Sequence, residues 1–129
     1  ATGGLKTIFT TYDAWGKPYL ISIKVARNEF LKKSPDAIRG FLEDYVAMAR
    51  YVHKPENRDA VIDAVSAQFK APKALLQQYY LTKKDTYKPT DGRVVAEDLQ
   101  HAVSKLHELG FLDQDLQVAK HIDNSYLPR

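Results

Sequence analysis

The 129-residue sequence predicts an α/β fold that is mostly helical, with two strands at its N-terminal end. Three observations predict it. Leu20, Ile21, Ile23 and Val25 form the β-branched-rich run of a strand buried on at least one face. Beyond Asn28, apolar residues recur at steps of three and four, which is the helix period. Pro, Gly, Ser and Asn fall between the periodic stretches, where elements start and stop.

Leu5–Thr11 reads as the first strand, with Leu5, Thr7 and Phe9 on one side and Lys6, Ile8 and Thr10 on the other. A breaker-rich connector, Tyr12 to Pro18, leads to a second strand at about Tyr19–Val25. Glu29-Phe30-Leu31 belongs to a short helix. Ser34 is placed to cap a long helix and Pro35 to start it, because proline's missing N–H costs nothing there. Asp36 adds a negative charge where the helix dipole favours one. Ile38, Phe41, Leu42, Tyr45, Ala49 and Val52 form its apolar stripe. Asn57 can cap a third helix facing inward with Val61, Ile62, Val65 and Phe69. Ala71-Pro72 restarts the chain into a fourth, with Leu75, Leu76, Tyr79 and Tyr80, before a polar loop from Lys83 to Gly92. The fifth spans about Arg93 to Leu109, with Val95, Leu99, Val103 and Leu106 on one face. Gly110 is its left-handed stop, which sets Phe111 to pack on Leu106. Leu116–Ile122 is a last short element.

A chain of this length can bury a core. Its 44% hydrophobic and 27% charged content excludes a disordered chain. No apolar run approaches bilayer length, so no membrane insertion is expected. The start, Ala1-Thr2-Gly3-Gly4, lacks methionine and a visible signal peptide, which points to a fragment or a processed product. With no cysteine, disulfides, zinc–thiolate sites and thiol nucleophiles are excluded. The net charge of +3 is dispersed, with no basic run beyond two residues, which argues against nucleic acid as a partner.

The segment from Leu20 to Tyr51 runs from an apolar strand through Phe30-Leu31 and Pro35 to a helix ending in aromatic and small residues, Phe41 through Tyr51. Asn57–Phe69, Pro72–Tyr80, Leu109-Gly110-Phe111-Leu112 and the tail Ile122–Leu127 follow. In that order these segments resemble the C-terminal part of periplasmic substrate-binding proteins of the nitrate/sulfonate/taurine type, a family that includes thiamine-precursor binders. The resemblance covers almost the whole chain. It implies the C-terminal portion of a two-lobed periplasmic-binding-protein (type II) fold. Residues 1–18 would end one lobe and form the hinge connector, and 19–129 would belong to the other lobe. It further implies a solute-binding component of an ABC importer, periplasmic or lipid-anchored outside a Gram-positive cell. Such a component captures a sulfonate, nitrate, pyrimidine or aromatic acid by cleft closure and delivers it to the permease. The N-terminal part, which holds most ligand contacts in that family, would be missing, so weak or no ligand binding by the chain alone is expected. No cofactor is implied.

Thr11, Tyr12 and Trp15 in the connector are the candidate ligand contacts. An aromatic wall with hydroxyl donors suits a small anion or a heteroaromatic ring. The plainer reading packs both aromatics at the hinge. None of His53, His101, His107 and His121 stands four residues from another, so no metal site is expected. Asp85, Asp91, Asp113 and Asp115 do not form a calcium loop and read as solvated turn residues. Tyr79-Tyr80 with Tyr87, and Lys83-Lys84 with Lys88, read as a helix face and a solvated loop. No nucleophile–base signature occurs, so no catalytic residue is named and a binding protein rather than an enzyme is expected. The rivals are an enzyme related to thiamine-pyrimidine biosynthesis and a basic helical interaction module. Two strands cannot form a stable sheet alone, so self-association through an open strand edge is also expected.

Overall fold

In the computed structural model, residues 8–9, 13, 22–82 and 89–129 are described. Helix α1 covers Asn28–Lys33 and stops at Ser34, whose N–H donates to the Phe30 carbonyl at 2.9 Å. Pro35 then opens α2, Pro35–His53, at its first position. Ser34 does not cap α2 through its hydroxyl as the sequence suggested. Its backbone turns the corner instead, because its carbonyl accepts the Ile38 N–H at 3.3 Å.

At the far end, Lys54 is extended ahead of Pro55, which opens a 3-10 turn over Pro55–Asn57. Helix α3, Arg58–Phe69, continues from it. Asn57 is not a side-chain cap either. Its backbone (φ −94°, ψ −3°) already lies in the helical region, not in the extended conformation that aims a capping side chain at the first turn. Its Nδ2 instead donates to the Tyr51 carbonyl at 2.8 Å, tying the new helix to the end of the old one.

Lys70 ends α3 in the left-handed region (φ 51°), and α4, Lys73–Tyr79, packs back on it after Pro72. Three contacts close this hairpin. Ser66 Oγ donates to the Ala71 carbonyl at 2.7 Å. Lys73 pairs with Asp63 at 2.7 Å. Arg58 Nη2 donates to the Gln77 carbonyl at 2.9 Å.

Helix α5 covers Ala96–Glu108 and begins about one turn later than the periodicity suggested. The cause lies in the tail. The Asn124 side chain pairs with both backbone groups of Val94, accepting its N–H at 3.3 Å and donating to its carbonyl at 3.1 Å. This pairing engages the Val94 carbonyl, which an earlier helix start would use as an acceptor, and also satisfies the Val94 N–H, which in such a first turn would have no intrahelical partner. The backbone stop of α5 follows expectation, but the expected packing of Phe111 on Leu106 does not bury the ring. Gly110 takes φ +75°, Phe111 N–H reaches the Leu106 carbonyl and Gly110 N–H the His107 carbonyl, both at 2.9 Å. Phe111 itself stays 74% exposed. The last expected element is a 3-10 turn, Val118–His121.

The buried residues are few. Val46 and Ala49 of α2, Val61 and Ile62 of α3, and Val118 form the core among the described residues. Gly92 brings the chain back against α2. A Cβ there would stand 3.2 Å from Val46 and 3.1 Å from Leu127.

The expected α/β class is corrected: among the described residues there are helices and no strands. Ile8 and Phe9, from the first expected strand, and Ser22–Val25, from the second, lie outside any ladder, and Val25 is 85% exposed. The rest of both segments lies outside the described residues. β-branched residues favour a strand only where a partner strand supplies cross-strand packing, and here the chain from Asn28 onward is helical. The two-lobed α/β arrangement and the open strand edge expected to drive self-association lose their basis with the strands.

Candidate functional site

Thr11, Tyr12 and Trp15, the candidate ligand contacts, lie outside the described residues. Within their connector Asp13 is described, and it is helical. Among the described residues no group of three His, Cys, Asp or Glu side chains is placed to hold a metal ion.

The described residues form a surface cleft of about 200 Å3 where α2 ends and α3 begins. Val52, His53, Lys54, Pro55, Arg58 and Leu81 line it. Its position follows from Pro55. The extended Lys54 and the 3-10 turn swing α3 away from the axis of α2, and Leu81, after α4, closes the side.

Two of the lining side chains are held by backbone carbonyls. His53 Nδ1 donates to the Ala49 carbonyl at 2.8 Å, which fixes the ring and leaves Nε2 for other partners. Arg58, half-buried, is held by Gln77 and keeps its remaining N–H donors. Lys54 is exposed. Among the described residues no carboxylate lines the cleft. Leu81 sits at φ +56°, a left-handed conformation that costs a leucine energy. The cleft therefore offers two permanent cations on an apolar floor of Val52, Pro55 and Leu81.

A second polar cluster is structural. The Gln100 amide spans α5 and the segment after it, donating to the Leu116 carbonyl at 2.9 Å and to Asp115 Oδ1 at 3.1 Å. Its Oε1 accepts the Val118 N–H at 3.0 Å, and Ser104 Oγ donates to Asp115 at 3.0 Å. Asp115 is thus a hydrogen-bonded anchor rather than the turn residue expected. Nearby, Ser125 through its hydroxyl and its N–H holds the Asp123 carboxyl below the usual carboxylate range.

The other notable surface is apolar. Phe41 and Met48 on α2 are 53% and 50% exposed, and Phe69, Leu75, Leu109 and Phe111 are also open. Lys24 Nζ lies 4.2 Å from the Tyr45 ring centre, and the Arg39 guanidinium lies 5.3 Å from that of Tyr126, which seats the tail on α2. No described helix is long and apolar enough to cross a membrane.

Sequence reasoning pointed to the connector and carried no signal for the cleft. The cleft's residues come from two stretches, 52–58 and Leu81, brought together by the turn at Pro55 and the α3–α4 hairpin. Compared with protein-family models, curated proteins and solved structures, the chain matches none.

Proposed function

We propose that the chain serves solute capture for an ABC importer. It binds a small anionic or heteroaromatic molecule outside the inner membrane and presents it to the permease, without covalent chemistry. One observation carries the reading. Helices α1 to α5 fall, in order, on five of the segments whose succession resembles the nitrate/sulfonate/taurine binders. These are Phe30-Leu31, Pro35 with Phe41–Tyr51, Asn57–Phe69, Pro72–Tyr80 and the helix ending at Leu109-Gly110, while the apolar strand that opens the succession has no counterpart among the described residues. The cationic cleft supports an anionic ligand, and the uncovered apolar faces support a role in contact with other protein surface.

The test is a binding panel on the full 129-residue chain, followed by NMR: a sulfonate, nitrate, a pyrimidine and an aromatic carboxylate. One class is expected to bind saturably in the millimolar range and above the others, since a shallow surface buries little of a ligand. The cleft on this chain narrows the expectation of weak or no binding to weak binding, so absence of saturation for every class up to about 20 mM would refute the reading.

A further inference from the structure

We propose that the cleft at the corner of α2 and α3 is a binding site for a small oxyanion, with Lys54 and Arg58 supplying the charge. Three features support this. First, the cleft concentrates the cations Lys54 and Arg58 on an apolar floor, with no carboxylate in its lining among the described residues. Glu56 and Asp59, which stand between and beside these cations in the sequence, are not part of the cleft's lining. Second, the Arg58 and His53 side chains are oriented before any ligand arrives, through Gln77 and Ala49. Arginine's planar fork loses less freedom on binding an oxyanion when one of its N–H groups is already fixed. Third, the size fits. The open cleft of about 200 Å3 has room for a sulfate or a small sulfonate.

The shared chemistry is the oxyanion, whether free or borne on an organic solute. The organic part rests on the solute-capture reading, and the oxyanion site does not. Lys54 is exposed and Arg58 half-buried, so each cation adds modestly, and millimolar affinity at low salt is expected.

The experiment is amide chemical-shift titration of the full chain with sodium sulfate and with sodium methanesulfonate, against sodium chloride at matched ionic strength. The expected result is saturable shifts confined to residues 52–58 and 77–82. Lys54→Ala and Arg58→Gln should each weaken binding about fivefold. Lys54 is exposed and Arg58 half-buried on the surface, and the Asp63–Lys73 and Ser66–Ala71 contacts still close the α3–α4 hairpin without Arg58, so both variants should retain the parent spectrum elsewhere. Shifts that rise linearly, match chloride, spread over all basic residues, or persist unchanged in both variants would overturn the site. The two proposals fail separately. If a panel solute binds but its shifts map elsewhere, the site falls and solute capture stands. If both oxyanions bind here but no panel class saturates above that level, solute capture falls and the site stands.

Discussion

Three glycine-to-alanine substitutions separate backbone strain from crowding, and Gly92→Ala is the informative member. Gly92 has φ +71°, where an alanine pays about 1–2 kcal/mol. Its new Cβ would also stand 3.2 Å from Val46 Cγ2 and 3.1 Å from Leu127 Cδ2. Val46 is 2% exposed and has no room to retreat, so the tail carrying Leu127 must shift. Crowding of this kind in a packed site costs roughly another 1 kcal/mol, for a total of about 2–3 kcal/mol. Gly110 supplies the control: its φ is +75°, and a Cβ there would meet nothing within 4 Å. Gly110→Ala should therefore cost the strain alone, about 1–2 kcal/mol. Gly40 lies inside α2 with open space around its Cβ position, so Gly40→Ala should stabilise by about 0.5–1 kcal/mol. Urea unfolding followed by circular dichroism gives all three values. The expected order is Gly40→Ala above the parent, then the parent, Gly110→Ala and Gly92→Ala, spread over roughly 3 kcal/mol. A Gly92→Ala no worse than Gly110→Ala would refute the close approach of this turn to α2.

Asn124→Ala leaves both backbone groups of Val94 without their partner and should cost about 1–3 kcal/mol, while Asn124→Asp, which keeps only the acceptor, should fall between. Thermal unfolding measures both, and equal losses would contradict the two-bond pairing. Gln100→Ala removes the acceptor of the Val118 N–H, so hydrogen exchange at Val118 should accelerate while Val46 and Ile62 keep their protection. The Asp123 carboxyl has a lowered pKa, so its contribution to stability is present above its unfolded value, near 3.8, and is lost as pH falls through the lower folded value. Ser125→Ala removes the hydroxyl, the larger cause, and should move Asp123 toward the ordinary value in an NMR titration.

The helices were legible where the signal is local. Pro35 marks a start because its ring and missing N–H act within one residue, and Gly110 marks a stop because φ +75° is a property of one residue. Signals that depend on backbone context were misread. Asn57 and Ser34 have capping side chains, but neither backbone is in the capping conformation. The expected strands failed for a related reason: β-branched composition describes a surface suited to a sheet, and the sheet has to come from elsewhere. The Asn124–Val94 pairing was invisible because its partners are 30 residues apart, and the cleft because it forms only through the bend at Pro55 and the return of Leu81. Nothing in the local pattern at Val94 says that Asn124 will claim both of its backbone groups.

The apolar stripe of α2 shows where periodicity and packing part. The stripe read from the sequence centres on Phe41, Tyr45, Ala49 and Val52. At about 100° per residue, Val46 lies roughly 140° around the helix from Phe41, and Met48 roughly 20° from it on the other side. The core takes the Val46 and Ala49 side and leaves the Phe41 and Met48 side half-exposed. The apolar arc is thus wider than the described neighbours cover. An arc that wide suits a helix touched on two sides, and α3 with the Gly92 turn occupies one of them. Few buried residues and wide open apolar faces place most of the stability in local helix contacts and hydrogen-bonded clasps. That is why single backbone positions such as Gly92 and Asn124 are expected to weigh as much here as core side chains do in a larger core.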